Sequence, residues 1–179
     1  MEVGSVREKI LIALLISEYG EKNVETEIPI TEPEVDVRLF GVPISIKTIT
    51  GLGGVKIIWT VDAKKAAEFR ETYKPSCDML LALIRWGGKG GLYYIPLKEQ
   101  RRMLEEMGTR RFINLPKPGT NPRGVEYTRE ALLNLIRAKD TMMVEVNWKK
   151  LEVAFNGYQR WVDLWKQEPA RNQNLQSFE

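Results

Sequence analysis

Asp36, Ser45 and Lys47 are the residues whose types and spacing could do chemistry. Asp36 falls in a first extended segment and Ser45-Ile46-Lys47 opens the next, with a short turn between them. A hairpin of that length brings the end of one strand beside its partner. Side chains two apart on a strand share a face, so Ser45 and Lys47 should point together, and Glu34 should point with Asp36. One or two carboxylates, a hydroxyl and an ammonium on one patch suit phosphodiester hydrolysis. A carboxylate can hold a hard divalent cation, usually magnesium. Such a cation polarises a phosphoryl oxygen and lowers the pKa of bound water. A lysine can orient that water and stabilise developing charge. The bland reading of the same residues is a surface salt bridge between Asp36 and Lys47.

Composition narrows the alternatives. The 179 residues include no histidine, which removes Ser-His-Asp hydrolysis, His-ligated zinc and His general-base chemistry. The length favours one domain. At 43% apolar and 28% charged residues the chain is of ordinary globular composition. No apolar run approaches the roughly 20 residues of a membrane span, so no membrane partner is expected. Ile10 to Ile16 has acidic flanks and no cleavage site after it, unlike a signal peptide. A single cysteine, Cys77, makes a cytoplasmic location the default. The net charge of +3 says little, but its distribution says more. Glu18, Glu21, Glu25, Glu27, Glu32, Glu34 and Asp36 form an acidic segment, whereas Val37–Val61 and Met107–Val125 contain bases and no acid. That arrangement suits a protein holding a cation next to a polyanion.

The elements that would position these groups follow from patterning. Ser5-Val6-Arg7-Glu8 reads as a capping box for a helix ending at Gly20. The helix is apolar all round at Ile10–Ile16, which predicts burial in the core or at a subunit interface. Glu34–Phe40, Ile44–Ile49 and Val55–Val61 read as three strands, with a turn at Gly41-Val42-Pro43. Asp62 reads as the N-cap of a helix to about Thr72, with Ala63, Ala66, Ala67 and Phe69 inward. Met79–Ile84 has the mark of a strand covered on both faces. A turn at Gly87–Gly91, a strand at Leu92–Ile95, a helix from Pro96 to Gly108, a polar loop at Pro116–Gly124, helices at Thr128–Ala138 and Trp148–Gln167, and a strand at Met142–Val146 complete the chain. The fold class is α/β: a mixed β-sheet flanked by helices, in the order helix-β-β-β-helix-β, with C-terminal helical elaboration.

Asp36, a spacer and a residue-x-Lys unit within that order of elements resemble the PD-(D/E)xK nuclease superfamily, and within it the type II restriction endonucleases. The resemblance covers about Val6 to Trp86. It implies that Asp36 is the motif aspartate and Lys47 the motif lysine, with Ser45 in place of the middle acid and Glu34-Val35 where a proline-led start would stand. In relatives with serine there, a carboxylate from the following helix replaces the missing one, so Asp62, Glu68 and Glu34 are candidate metal ligands with Asp36. The Ile46 carbonyl is a further ligand by analogy, and Mg2+ the implied cofactor. Leu-Tyr-Tyr-Ile-Pro and Gly-Thr-Asn-Pro-Arg-Gly, between Trp86 and Gly124, are similar to the ThaI-like endonuclease group, which would imply a short GC-only palindrome as target. The resemblance frames the chain as one nuclease domain, 1–179, with its core at about 5–86 and DNA-recognition and dimerisation elements at about 87–179.

Several of these residues also have plainer readings. Asp62 would serve as a helix cap, Glu68 as part of a solvated face, and Glu8 as a capping residue. Gly51-Leu52-Gly53-Gly54 lacks the lysine and hydroxyl of a phosphate-binding loop, so no nucleotide cofactor is expected. Lys117, Asn121 and Arg123 lie in a proline-rich loop, and arginine and asparagine can read guanine and adenine edges. Arg110 and Arg111 suit phosphate contacts, and Arg85 and Lys89 flank a second turn that could reach bases. Phe155, Tyr158, Trp161, Val162 and Trp165 have the spacing of a core or dimer-forming helix face. The expectation is a magnesium-dependent endonuclease of double-stranded DNA acting as a homodimer, because palindromic sites mirror a twofold axis. Two alternatives stand beside it: a repair or junction-resolving nuclease of the same fold, and a non-catalytic DNA-binding module.

Overall fold

The computed structural model describes residues 3–51, 54–58, 62–116 and 124–149, together with 158, 159, 162, 163 and 166. The chain divides into two compact units, residues 1–149 and 150–179. In the first, α1 (Val3–Tyr19) leads through a 3-10 turn into β1 (Val24–Glu25), β2 (Val37–Leu39), β3 (Val42–Thr50) and β4 (Val55–Ile58). Then come α2 (Ala63–Thr72), β5 (Asp78–Ile84), β6 (Gly88–Ile95), α3 (Leu97–Met107), α4 (Thr109–Phe112), β7 (Ile113–Asn114), β8 (Val125–Tyr127), α5 (Arg129–Ile136) and β9 (Met142–Trp148). In the second, Tyr158, Gln159, Val162, Asp163 and Lys166 are helical, as the expected C-terminal helix requires; Phe155, Trp161 and Trp165 lie outside the described residues.

The main sheet has six strands in the order β1-β2-β3-β5-β6-β9. Only β3 and β5 run parallel, joined by the crossover through α2, and the other neighbours are antiparallel. Period-2 alternation divides the apolar side chains between the two faces. Ile44 and Ile46 of β3, Val37 of β2 and Ala82 of β5 pack beneath Leu11 of α1. Ile49, Met79, Leu81 and Leu83 point the other way and pack with Met103 of α3, Leu132 and Leu135 of α5, and the small sheet. β5 is covered on both faces, as its continuous apolar run predicts.

Several expectations change. The third strand, β4, leaves the main sheet and pairs antiparallel with β8, in a three-stranded sheet of order β4-β8-β7. The turn before β3 is Phe40-Gly41, both at positive φ (52° and 79°), so Val42 and Pro43 belong to the strand. The turn expected at Gly87–Gly91 is strand from Gly88 on, and Trp148, expected to open the C-terminal helix, ends β9; β6 and β9 extend the main sheet by two strands. Finally, α1 begins at Val3, two residues ahead of the start expected at Ser5. The helix buries only one stripe, centred on Leu11, and leaves Val6, Ile10 and Leu14 exposed.

Two polar side chains fasten α3 to the sheet, Gln100 buried and Asp78 partly buried. Gln100 of α3 donates to the carbonyls of Cys77 (2.9 Å) and Ile95 (3.2 Å). Asp78 accepts from the Leu97 amide (2.6 Å) and from the Tyr94 hydroxyl, which sets the start of α3 over β5 and β6. On the α1 face the Trp148 indole lies over Gly90 of β6. A Cβ at Gly90 would stand 2.1 Å from the Leu83 carbonyl oxygen and 2.5 Å from Trp148 Nε1. Since one neighbour is backbone, relief requires the strands to move apart. Gly90→Ala should therefore lower stability by about 1–3 kcal/mol, the range for overpacking. Urea unfolding would measure this, and a wild-type midpoint would mean that β6 can shift freely.

Candidate active site

β2 pairs with β3 only from Val37↔Ile44 to Leu39↔Val42. From Ser45 onward β3 pairs with β5 alone, so its other edge is open. Asp36 sits where β2 begins. Its amide donates to the Ile44 carbonyl (3.0 Å), the last rung between the two strands. At the next rung the Asp36 side chain substitutes for backbone: Oδ2 accepts the Ile46 amide at 2.6 Å. The same oxygen accepts the Ser45 hydroxyl (3.2 Å) and lies 3.7 Å from Lys47 Nζ. All three sequence-selected residues thus meet at one carboxylate oxygen.

The pocket they form is partly sheltered. The Asp36 and Lys47 side chains keep 20% and 18% exposure, which leaves them reachable by a ligand while limiting screening by solvent. Ser45 is buried at 2%, so its hydroxyl must have a partner, and Asp36 supplies it. Asp36 Oδ1 accepts no hydrogen bond among the described residues. The N–H and C=O of one strand residue point the same way. The Ile46 carbonyl therefore faces the open edge with its amide, beside Asp36.

Sequence reasoning missed one group here. Glu8 projects from the first turns of α1, anchored over the end of β3 by a hydrogen bond from Arg7 Nη1 to Thr50 Oγ1 (3.1 Å). Burial raises the Glu8 pKa, and the Asp36 carboxylate raises it further, while Lys47 and Lys9 oppose the shift. Glu8 accepts no hydrogen bond and forms no ion pair among the described residues. A carboxylate held beside another carboxylate without a partner is a poor structural device and a good cation ligand. The capping-box pattern hid it, because Glu8 stands three residues after Ser5.

The other expected acids occupy other positions. Glu34 does not point with Asp36, because residues 34–36 are not in a strand. Val35 instead turns back to the Glu32 carbonyl (3.1 Å). The Glu34 carboxylate accepts from the Ser76 amide (2.8 Å), the Ser76 hydroxyl and the Tyr73 hydroxyl (2.9 Å). Asp62 caps α2, accepting from the amides of Lys64 (2.8 Å) and Lys65 (3.2 Å). Glu68 lies on the exposed face of α2 with Lys64 at 3.9 Å. Within the acidic segment, Glu25 and Glu32 pair with Arg38 rather than converging on a cation. Among the described residues no group of three carboxylate or thiol side chains makes a ready cage. Cys77 is buried nearby; burial, then the Glu34 charge, pushes its thiol up to about 12, so it stays protonated and inert.

The candidate DNA-contacting residues are dispersed. Arg85 is exposed at the end of β5. Lys89 on β6 pairs with Glu145 of β9 at 2.9 Å. Arg110 is exposed on α4, and Arg111 is paired with Glu130 of α5. Lys117, Asn121 and Arg123 lie outside the described residues.

The raised pKa of Glu8 carries a sign. A carboxyl that binds its proton more tightly when folded adds stability below its unfolded pKa, and that addition is lost as pH rises through the folded value. Ionised Glu8 therefore opposes folding at neutral pH in the absence of a cation. Glu8→Gln should be more stable than the parent at pH 7, with the gap closing as pH falls to 4. Chemical unfolding at the two pH values in a chelator would measure it, and a gap that widens at low pH would reverse the assignment.

The chain resembles known proteins at the level of family and fold. No curated protein matches the chain. A solved structure described as a restriction endonuclease in complex with substrate DNA superposes with a TM-score of 0.85 and is 56% identical. The match covers 93% of this chain and 81% of that one. The family model described as restriction endonuclease ThaI matches residues 1–167. The chain belongs to the ThaI restriction endonuclease family.

Proposed function

We propose that the chain cuts double-stranded DNA by magnesium-dependent hydrolysis, with Asp36, Glu8 and the Ile46 carbonyl as the cation's protein ligands and Lys47 as the group that acts on water and phosphate. As a member of its family it is a sequence-specific type II DNA endonuclease. The observation that carries the residue assignment is the gathering of the Ser45 hydroxyl, the Ile46 amide and Lys47 on Asp36 Oδ2 at the open edge of β3, within electrostatic reach of Glu8.

The donors fit the ion. Two carboxylates and a carbonyl are hard oxygen ligands, and magnesium keeps several waters when bound by one or two carboxylates. When bound, it supplies Lewis-acid polarisation of a phosphoryl oxygen and a more acidic water. The chain does the rest. Ser45 and the Ile46 amide hold Asp36 Oδ2, which leaves Oδ1 directed by the same rotamer. Glu8 adds the second negative charge that the serine at position 45 does not. Lys47 places an ammonium 3.7 Å from Asp36 Oδ2, where it can hold the attacking water in line and meet charge growing on the phosphate oxygens.

The working unit is a homodimer in the cytoplasm, because a palindrome presents two identical strands and each subunit offers one site. In recognition, Arg123 and Asn121 read base edges, Arg110, Arg111 and Lys117 hold the backbone, and Arg85 and Lys89 are the second candidates for base reading.

Plasmid DNA with and without magnesium is the direct test, and discrete fragments that need the metal are the expected result. Asp36→Ala and Glu8→Ala should abolish cleavage and leave DNA binding in calcium largely intact. Lys47→Ala should lose about 10²–10³-fold in rate, the usual cost of one transition-state donor. Lys47→Arg should not restore it, since a planar guanidinium does not replace a compact ammonium. Wild-type nicking by the Asp36 variant would show that the site is elsewhere.

Equilibrium binding separates the recognition roles. Arg123→Ala should erase about 1–3 kcal/mol of preference for the cognate site. Arg110→Ala should weaken cognate and random DNA alike and flatten the salt dependence. Equal effects of both variants would place base reading outside residues 117–123.

A further inference from the structure

Glu34 stands two residues before Asp36, yet its side chain belongs to a different network. Its Oε2 accepts the amide (2.8 Å) and the hydroxyl of Ser76, in the connection between α2 and β5. Its Oε1 accepts the Tyr73 hydroxyl at 2.9 Å. Tyr73 and Tyr127 hydroxyls lie 2.7 Å apart. A phenol has one proton to give. Since Tyr73 spends its proton on Glu34, Tyr127 must donate to Tyr73, and the chain of bonds runs from Tyr127 through Tyr73 to Glu34. Tyr73 is 7% exposed and Tyr127 1%, so solvent cannot replace these bonds. Burial raises the pKa of both phenols, which keeps both protons in place.

Outside that network few bonds hold the backbone around Asp36: Arg38 pairs with Glu32, and the Cys77 thiol donates to the Glu34 carbonyl at 3.8 Å. Between β1 and β2 the segment pairs with no strand, and beyond the three residues of β2 its tie to β3 is the Asp36 amide bond to Ile44. The Glu34 network fastens this segment from the other side, to the entry of β5 through Ser76 and to β8 of the small sheet through Tyr127.

We propose that Glu34 is a positioning residue for Asp36, held by Ser76 and by the Tyr73–Tyr127 pair, and that this network sets the Asp36 carboxylate against the Ile46 amide before a cation binds. The consequence for metal binding rests on the reading of Asp36 as a cation ligand. A ligand already in place loses less freedom on binding.

The test reads the Asp36–Ile46 bond directly. Amide hydrogen exchange of Ile46 and of the core residue Leu83 would be followed by NMR in metal-free wild type, Tyr73→Phe, Tyr127→Phe and Glu34→Gln. Free manganese would be titrated against the same proteins by electron paramagnetic resonance, and plasmid cleavage assayed in parallel. Tyr73→Phe removes one hydroxyl and keeps the ring. It should speed Ile46 exchange by about tenfold, the size of one net hydrogen bond, leave Leu83 unchanged, and weaken manganese binding by a similar factor. Tyr127→Phe should act in the same direction and less strongly. If Tyr73→Phe does not fold, Glu34→Gln, which keeps the shape and loses the charge, carries the test alone. Unchanged Ile46 exchange in the variants overturns the proposal, and so does equal acceleration at Leu83, which would make the network a general support of the fold. A wild-type chain that neither binds manganese nor cuts DNA overturns the functional reading instead, whichever way Ile46 exchange falls.

Discussion

The Asp36 carboxylate does for β3 what a strand would otherwise do. β2 ends its pairing at Ile44, and a bare Ile46 amide at that edge would be a costly unsatisfied donor. Oδ2 takes that amide at 2.6 Å and gathers the Ser45 hydroxyl and the Lys47 ammonium around it. The sheet is thus completed by a side chain, and the side chain is oriented by the sheet. The proposed chemistry depends on that exchange, because it leaves a second carboxylate oxygen and a backbone carbonyl at the same edge.

Electrostatics explains why the site has two carboxylates on separate elements. Asp36 is balanced by Lys47, and a second acid at position 45, buried at 2% exposure, would be a buried charge beside Asp36. The second negative group comes from α1, where Glu8 is half-buried beside Asp36 at an evident cost to its ionised form. A cation would relieve that cost. Arg7, adjacent in sequence, ties the helix to Thr50 and so fixes the approach of Glu8. Ser45, where an acid would be expected, is then a hydrogen-bond donor to Asp36 and not simply a lost acid.

The two faces of the main sheet divide the labour. The α1 face brings Glu8, while the opposite face, with α2, α3, α5 and the small sheet, holds the Glu34 network and the buried Gln100 anchor. β3, like β5 and β6, belongs to both, since its alternating side chains enter both cores. That explains why a nine-residue strand with only three paired residues on one side remains in place: its parallel register with β5 runs unbroken from Ile44 to Thr50.

Local chemistry alone determined much of this protein. The β5 run, the Asp62 cap, the Gly20 and Gly108 helix ends, and the alternation that pairs Ser45 with Lys47 all follow from short-range rules, and the structure bears each of them out. Tertiary structure decided the rest. Glu8 had a sufficient local explanation as a capping residue, and only the start of α1 at Val3 and its packing over β3 bring it to Asp36. Glu34 looked like a strand neighbour of Asp36 until the Val35 turn and the partners from Ser76 and Tyr73 directed it elsewhere. β4 had the composition of a sheet strand, but composition does not say which sheet, and its partner β8 lies far along the chain. In each case the deciding partner is remote in sequence, and a pattern of period two or 3.6 carries information only about a residue's own element.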